Sequence, residues 1–110
     1  MNAIAPNFRL QCLEIDPRDG RVTGPGGQEV LDPRVMEVLM LMTHRAGQLI
    51  THEDFLDALW PNRIVTDYAI YRCICVLRKQ LSRAAGDSRY RALIETLPKR
   101  GYRLRPYESG

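Results

Sequence analysis

The first third of the chain carries its apolar residues in short stretches separated by turn-forming clusters. Phe8-Arg9-Leu10 and Cys12 to Ile15 precede Asp16-Pro17-Arg18-Asp19-Gly20, while Arg21-Val22-Thr23 and Gln28 to Leu31 flank Gly24-Pro25-Gly26-Gly27. Asp19-Gly20 is a hairpin signal, because glycine enters the positive-φ region that a tight reversal needs. These stretches predict a small antiparallel meander, too thin to stand without a second layer packed on it.

The period then becomes helical. Asp32 is placed to cap a helix that starts at Pro33, where a missing N–H is not needed. Val35, Met36, Leu39 and Met42, flanked by Val38 and Leu41, form a stripe reaching to about Ala46, with Gly47 expected to end the helix. Thr51-His52-Glu53-Asp54 has the form of a capping box and opens a short second helix. That helix is expected to bury Phe55, Leu56, Leu59 and Trp60 and to stop at Pro61. Thr66 is placed to cap a third helix, 66–83, in which Ile70, Ile74, Leu77 and Leu81 form one stripe flanked by Cys73. Ala84 to Arg91 reads as a loop. Leu93 to Leu97 and Tyr102 to Arg105 alternate around Pro98-Lys99-Arg100-Gly101 and predict a closing hairpin. The expected fold is α+β: strands, three helices and a hairpin in one domain.

Composition and charge narrow the function. With 45% apolar and 26% charged residues, the chain is an ordinary globular sequence. No apolar run approaches the roughly 18 residues of a membrane span, and the N-terminus lacks the layout of a secretory signal. Cys12, Cys73 and Cys75 make an odd count without metal-type spacing, and predict reduced thiols in a cytoplasmic protein. The net charge of +3 is modest but unevenly spread. Residues 1–62 hold five Lys/Arg against nine Asp/Glu, whereas residues 63–110 hold eleven against four. A basic C-terminal half suggests a side that faces a polyanion.

Catalytic constellations are not evident. His44 and His52 fall on different helices, His44 near a helix C-terminus where it complements the dipole, and His52 at an exposed position. Gly24-Pro25-Gly26-Gly27 lacks a following Lys-Ser/Thr and leads into a strand, so it does not read as a phosphate loop. No enzyme activity, cofactor or metal is expected. The third helix is more informative. With its stripe facing inward, its other side presents Tyr68, Tyr71, Arg72, Cys75 and Lys79, with Arg78 at the margin. A short helix, a turn and a longer helix form a helix-turn-helix, whose second helix fits the major groove of double-stranded DNA. A following hairpin tipped by Lys99 and Arg100 could reach the sugar-phosphate backbone. The reading is sequence-specific binding of double-stranded DNA; the alternative is a protein-interaction module of the same shape.

The stretches "LDPRVMEVLMLMTHRAGQLITHEDFLDALW", "VTDYAIYRCICVLRKQL" and "LIETLPKRGYRL" carry a resemblance. Ile74-x-x-Leu77-Arg78-Lys79-x-Leu81 and Glu95-Thr96-x-Pro98-Lys99-Arg100-Gly101-Tyr102 are its most specific parts. Together they resemble the winged-helix DNA-binding domain of the OmpR/PhoB type, in the branch at the N-terminus of CadC/ToxR-like transcriptional regulators. The resemblance spans residues 8–106, leaving tails at 1–7 and 107–110. It implies a winged helix-turn-helix with an N-terminal four-stranded antiparallel sheet, three helices and a C-terminal β-hairpin wing. It further implies that Tyr68, Tyr71, Arg72 and Cys75 face bases, and that Thr66, Arg78 and Lys79 lie near phosphates. Trp60, Thr96 and Tyr102 match backbone-contacting positions, and Lys99 and Arg100 occupy a wing tip, 97–102, that approaches the minor groove. Cys75 and Val76 depart from the basic residues common there, which weakens the expected phosphate affinity. The same resemblance implies a promoter-binding bacterial regulator that contacts RNA polymerase and pairs head-to-tail on tandem half-sites. With Met1 just before the first strand, the resemblance implies a cytoplasmic domain and favours a membrane-anchored regulator with its membrane part after Gly110, the alternative being a small stand-alone regulator.

Overall fold

The structure is a computed structural model and describes residues 7–105. The expected tails and the boundary at 106 lie outside those residues, apart from Asn7. Strands β1 (Phe8–Leu10), β2 (Leu13–Asp16), β3 (Arg21–Gly24) and β4 (Gly27–Val30) form an antiparallel sheet in chain order. The register places Leu10 opposite Leu13 and Ile15 between Phe8 and Val22. One face is therefore apolar and buried, while Arg9, Glu14 and Thr23 point to solvent. The second reversal, between β2 and β3, is a four-residue turn, 17–20, in which the Asp19 N–H donates to Asp16 Oδ1 at 3.1 Å.

Helix α1 (Pro33–His44) follows. It starts where expected, but the Asp32 side chain makes no capping bond. It ends at His44, two residues before the expected Ala46. Gly47 lies beyond that end and donates its N–H to the Leu104 carbonyl at 2.9 Å, so it joins the helix exit to the closing strand. Val38, expected at the flank, is fully buried, because α1 is covered by the third helix and by neighbouring elements on more than one side.

Helix α2 (His52–Leu59) has the expected capping box. The Asp54 N–H donates to Thr51 Oγ1 and the Thr51 N–H donates to Asp54 Oδ2, each at 3.0 Å. These bonds from Thr51, with a smaller contribution from Arg45, hold the Asp54 carboxyl below its ordinary value of 3.8. Helix α3 (Asp67–Ala85) buries Ile70, Ile74, Leu77 and Leu81 completely. It also runs past the expected end at Arg83. Ala84 and Ala85 are buried in its last turn, and Gly86 closes it in the left-handed region. The expected loop from Ala84 to Arg91 is thus a helix end followed by a 3₁₀ segment, Ser88–Leu93, capped by Asp87. Buried alanines continue the apolar face of α3 where the surrounding polar residues hide it from a periodicity reading.

The closing hairpin consists of β6 (Ile94–Leu97) and β7 (Gly101–Leu104). It is part of a three-stranded sheet, ordered β5-β7-β6, because β5 (Ile50–Thr51) pairs with β7. Ile50 lies opposite Tyr102 and Thr51 opposite Gly101. Gly101 has φ +152, and a Cβ there would run into the Ile50 carbonyl, so only glycine fits this contact. A single core fills the space between the two sheets, with α3 packed against the first sheet, α1, α2 and the 3₁₀ segment.

Candidate nucleic-acid interface

The buried stripe of α3 leaves a second face open. Tyr68 is 68% exposed and Tyr71 51%, with Arg72 and Lys79 also exposed and Cys75 half-buried among them. The Tyr68 and Tyr71 rings lie 6.3 Å apart and form one aromatic surface. Interaction with the Cys75 side chain pushes the Tyr71 hydroxyl above its ordinary value of 10.0. Cys73 turns the other way, and burial pushes its thiol up. All three cysteines are free thiols, and at Cys12 the Tyr90 hydroxyl donates to the sulfur at 2.8 Å.

Thr66 occupies the N-cap position of α3 and is exposed, but its side chain makes no capping bond. The helix start is held by another pair. His52 is not fully exposed as expected: its Nδ1 lies 3.3 Å from Asp67 Oδ2, and its ring is 6.1 Å from that of Tyr102. The two helices of the helix-turn-helix thus meet through side chains at their N-terminal ends.

Two residues implied as DNA contacts lie in the core. Trp60 is 8% exposed, with the Arg34 guanidinium 5.0 Å over its ring and also donating to the Leu59 carbonyl. Tyr102 is 6% exposed and meets Phe55 edge-on at 6.1 Å. Burial pushes the Tyr102 hydroxyl above its ordinary value of 10.0, with Arg78 working in the opposite direction. Both rings are large apolar bodies, and the helix and strand that carry them turn them inward.

Arg78, expected near a phosphate, is hydrogen-bonded within the protein. Its Nε and Nη2 donate to the Ile94 carbonyl at 3.2 and 2.6 Å, and Nη2 donates to Thr96 Oγ1 at 2.8 Å. Its guanidinium lies 6.0 Å from the centre of the Tyr102 ring. Arg78, Thr96 and Tyr102 are therefore brought together on the wing, one residue pair from its turn.

The wing tip is a tight turn closed by the Arg100 N–H donating to the Leu97 carbonyl at 2.9 Å. Pro98 supplies its first central position and Lys99, at φ +64, the position that favours glycine. Lys99 and Arg100 are exposed, and among the described residues neither enters an ion pair. Also exposed is Ile64, in the connection between α2 and α3, which the sequence did not single out. Among the described residues no cluster of His, Cys, Asp or Glu could hold a metal ion. Among the described residues two open grooves lie elsewhere, one beside Gln11 and Arg89 and one between the 17–20 turn and α1. No helix among the described residues is long and apolar enough to cross a membrane.

Comparison with known proteins places this geometry. A family described as "Transcriptional regulatory protein, C terminal" matches residues 26–104. The transcriptional activator CadC of Escherichia coli (strain K12) is 31% identical over 99 residues, which cover 90% of this chain and 19% of CadC. The chain thus spans about a fifth of that relative's length. The solved DNA-binding domain of E. coli CadC superposes with a TM-score of 0.80 at 30% identity, covering 94% of this chain and 95% of that one. The DNA-binding domain of Klebsiella pneumoniae RstA, solved in complex with the RstA box, superposes with a TM-score of 0.73 at 24% identity. It covers 94% of this chain and 100% of that one, and shares the fold. The two antiparallel sheets, three helices and terminal wing are those of a winged helix, and the chain belongs to the C-terminal family of transcriptional regulatory proteins, in its OmpR/PhoB type.

Proposed function

We propose that this domain binds double-stranded promoter DNA in a sequence-dependent manner, as the DNA-reading part of a longer transcriptional regulator. Helix α3 enters the major groove, and the wing lies on the backbone beside the minor groove. The observation that carries this reading is the exposed face of α3. Tyr68, Tyr71 and Arg72 project from a helix whose opposite side is completely buried, so they are presented on a rigid support. Arg72 can donate two hydrogen bonds to a guanine edge, and the tyrosines can pack on thymine methyl groups. Lys79, Lys99 and Arg100 supply charge for phosphates, and Thr66 a hydroxyl. Because Arg78 is engaged with β6, the phosphate-facing charge rests mainly on the other three cations. Trp60 and Tyr102 support the surface from within.

The whole regulator's behaviour is part of the same reading. Contact with RNA polymerase and head-to-tail pairing on tandem half-sites belong to this reading, and the exposed Ile64 in the connection between α2 and α3 is the residue to test first for such a contact. A DNA-binding role puts the domain in the cytoplasm, including when the regulator is membrane-anchored.

The test is a binding titration on a duplex selected from a random-sequence library, with an unselected duplex as control, at two salt concentrations. The reading expects enrichment of a motif and a Kd that rises steeply with salt, since phosphate neutralisation releases counterions. A folded protein that binds neither duplex at low salt would leave the protein-interaction alternative, with Ile64 as its first candidate.

A further inference from the structure

Resting on the DNA-binding reading, we propose that Arg78 is a positioning residue, which fixes the wing relative to α3 so that both reach DNA together. Strand β6 is an edge of the sheet ordered β5-β7-β6, so every second backbone carbonyl on its outer side lacks a partner strand. The Leu93 carbonyl faces β7 and accepts the Arg105 N–H at 2.7 Å. By the alternation of a strand, the next carbonyl, that of Ile94, faces outward. Arg78 reaches this carbonyl from α3 with two N–H groups and takes Thr96 Oγ1 with one of them. The other edge of the wing is held by β5, through the pairing of Ile50 with Tyr102 and Thr51 with Gly101. The wing is thus fixed on both sides, by a backbone ladder on one and a planar guanidinium on the other.

Leverage gives this anchor its function. Lys99 and Arg100 sit in the turn three and four residues beyond Thr96, so Lys99 is at most about 10 Å from it at roughly 3.3 Å per residue. A tilt of about 10° at this anchor would move the tip by up to about 2 Å, enough to break a hydrogen bond or ion pair to a phosphate. Lys79, the next residue on α3, is exposed and makes none of the bonds that tie Arg78 to the wing. Adjacent cations on one helix therefore have different tasks: Lys79 faces outward, and Arg78 aims two other cations.

The experiment is a cycle of variants on the selected duplex, with thermal unfolding measured for each protein. Arg78→Ala is expected to weaken binding about as much as the combined Lys99→Ala and Arg100→Ala change. Adding Arg78→Ala to that wing variant should then change Kd less than about twofold, since there is no longer a tip to position. Arg78→Lys should behave like Arg78→Ala, because an ammonium keeps the charge but cannot reproduce the guanidinium fork. It also serves if the alanine variant fails to fold. Effects that multiply, or a lysine variant that binds like the wild type, would overturn the inference and make Arg78 a direct phosphate contact. A wild type that binds no duplex would overturn the DNA reading together with this inference, whereas multiplicative effects would overturn the inference alone.

Discussion

The backbone N–H of Gly26 donates to the carbonyl oxygen of Ala84 at 2.8 Å, which fastens the reversal between β3 and β4 onto the last turn of α3. The carbonyls of a helix's final turn have no partner within the helix, and here the first sheet supplies one. The approach is backbone to backbone. A Cβ on Gly26 would overlap the Arg83 carbonyl and the backbone of Gly86. The run Gly24-Pro25-Gly26-Gly27, which did not suit a phosphate loop, is the place where the sheet holds the recognition helix.

Gly26→Ala is accordingly expected to destabilise the fold by about 1–3 kcal/mol, the usual range for overpacking in a filled contact. Urea unfolding should show a lower midpoint with an unchanged slope. A change below about 0.5 kcal/mol, the range of an ordinary surface substitution, would mean that the sheet yields without loss.

Arg72 and the wing cations should fail in different ways. Arg72→Ala is expected to lose about 1–3 kcal/mol at one base pair of the selected site, so that the motif becomes degenerate there. The combined Lys99→Ala and Arg100→Ala change should weaken all duplexes alike and reduce the slope of log K against log salt by about 2. Repeating the library selection with each variant separates the two outcomes. A wing variant that altered the motif while keeping the salt slope would reverse the assignment.

Lys99 occupies the glycine-favouring position of its turn, at φ +64. Left-handed backbone costs a residue with a side chain about 1–2 kcal/mol, partly offset by the lower unfolded-state entropy of lysine relative to glycine. Lys99→Gly should therefore leave thermal stability unchanged or raise it, while weakening binding to every duplex. A clear loss of stability would show that the turn gains from lysine in some other way.

The capping box makes a pH prediction with a definite sign. The folded-state pKa of Asp54 is depressed below 3.8, so its contribution is fully present above that value and is lost as pH falls through the lower folded value. Asp54→Asn should make unfolding less pH-dependent below pH 3.8 than in the wild type. Parallel acid-unfolding profiles for the two proteins would assign the acid sensitivity to other carboxylates.

Much of this was legible in the chain. The buried stripe of α3, the capping box at Thr51 and Asp54, and the turn at Pro98 to Gly101 are short-range arrangements, each declared by neighbouring residues. The exposed face carrying Tyr68, Tyr71 and Arg72 followed from the same period, because fixing the inward side of a helix also fixes its outward side. The wider burial of α1, by contrast, showed only when several neighbours surrounded it.

By itself the sequence determined the α+β order, the three helices, the wing and which side of α3 is open, since periodicity and capping act within a few residues. Only the tertiary structure decided what Arg78 does. Its partner lies 16 residues away on an edge strand, and a marginal cation on a helix carries no sign of whether a carbonyl or a phosphate will meet it. The same holds for β5, whose two residues become a strand only by pairing with β7, and for Tyr102, which packing turned into the core. Contacts between distant parts of the chain depend on where the whole backbone places them, and no local pattern encodes that placement.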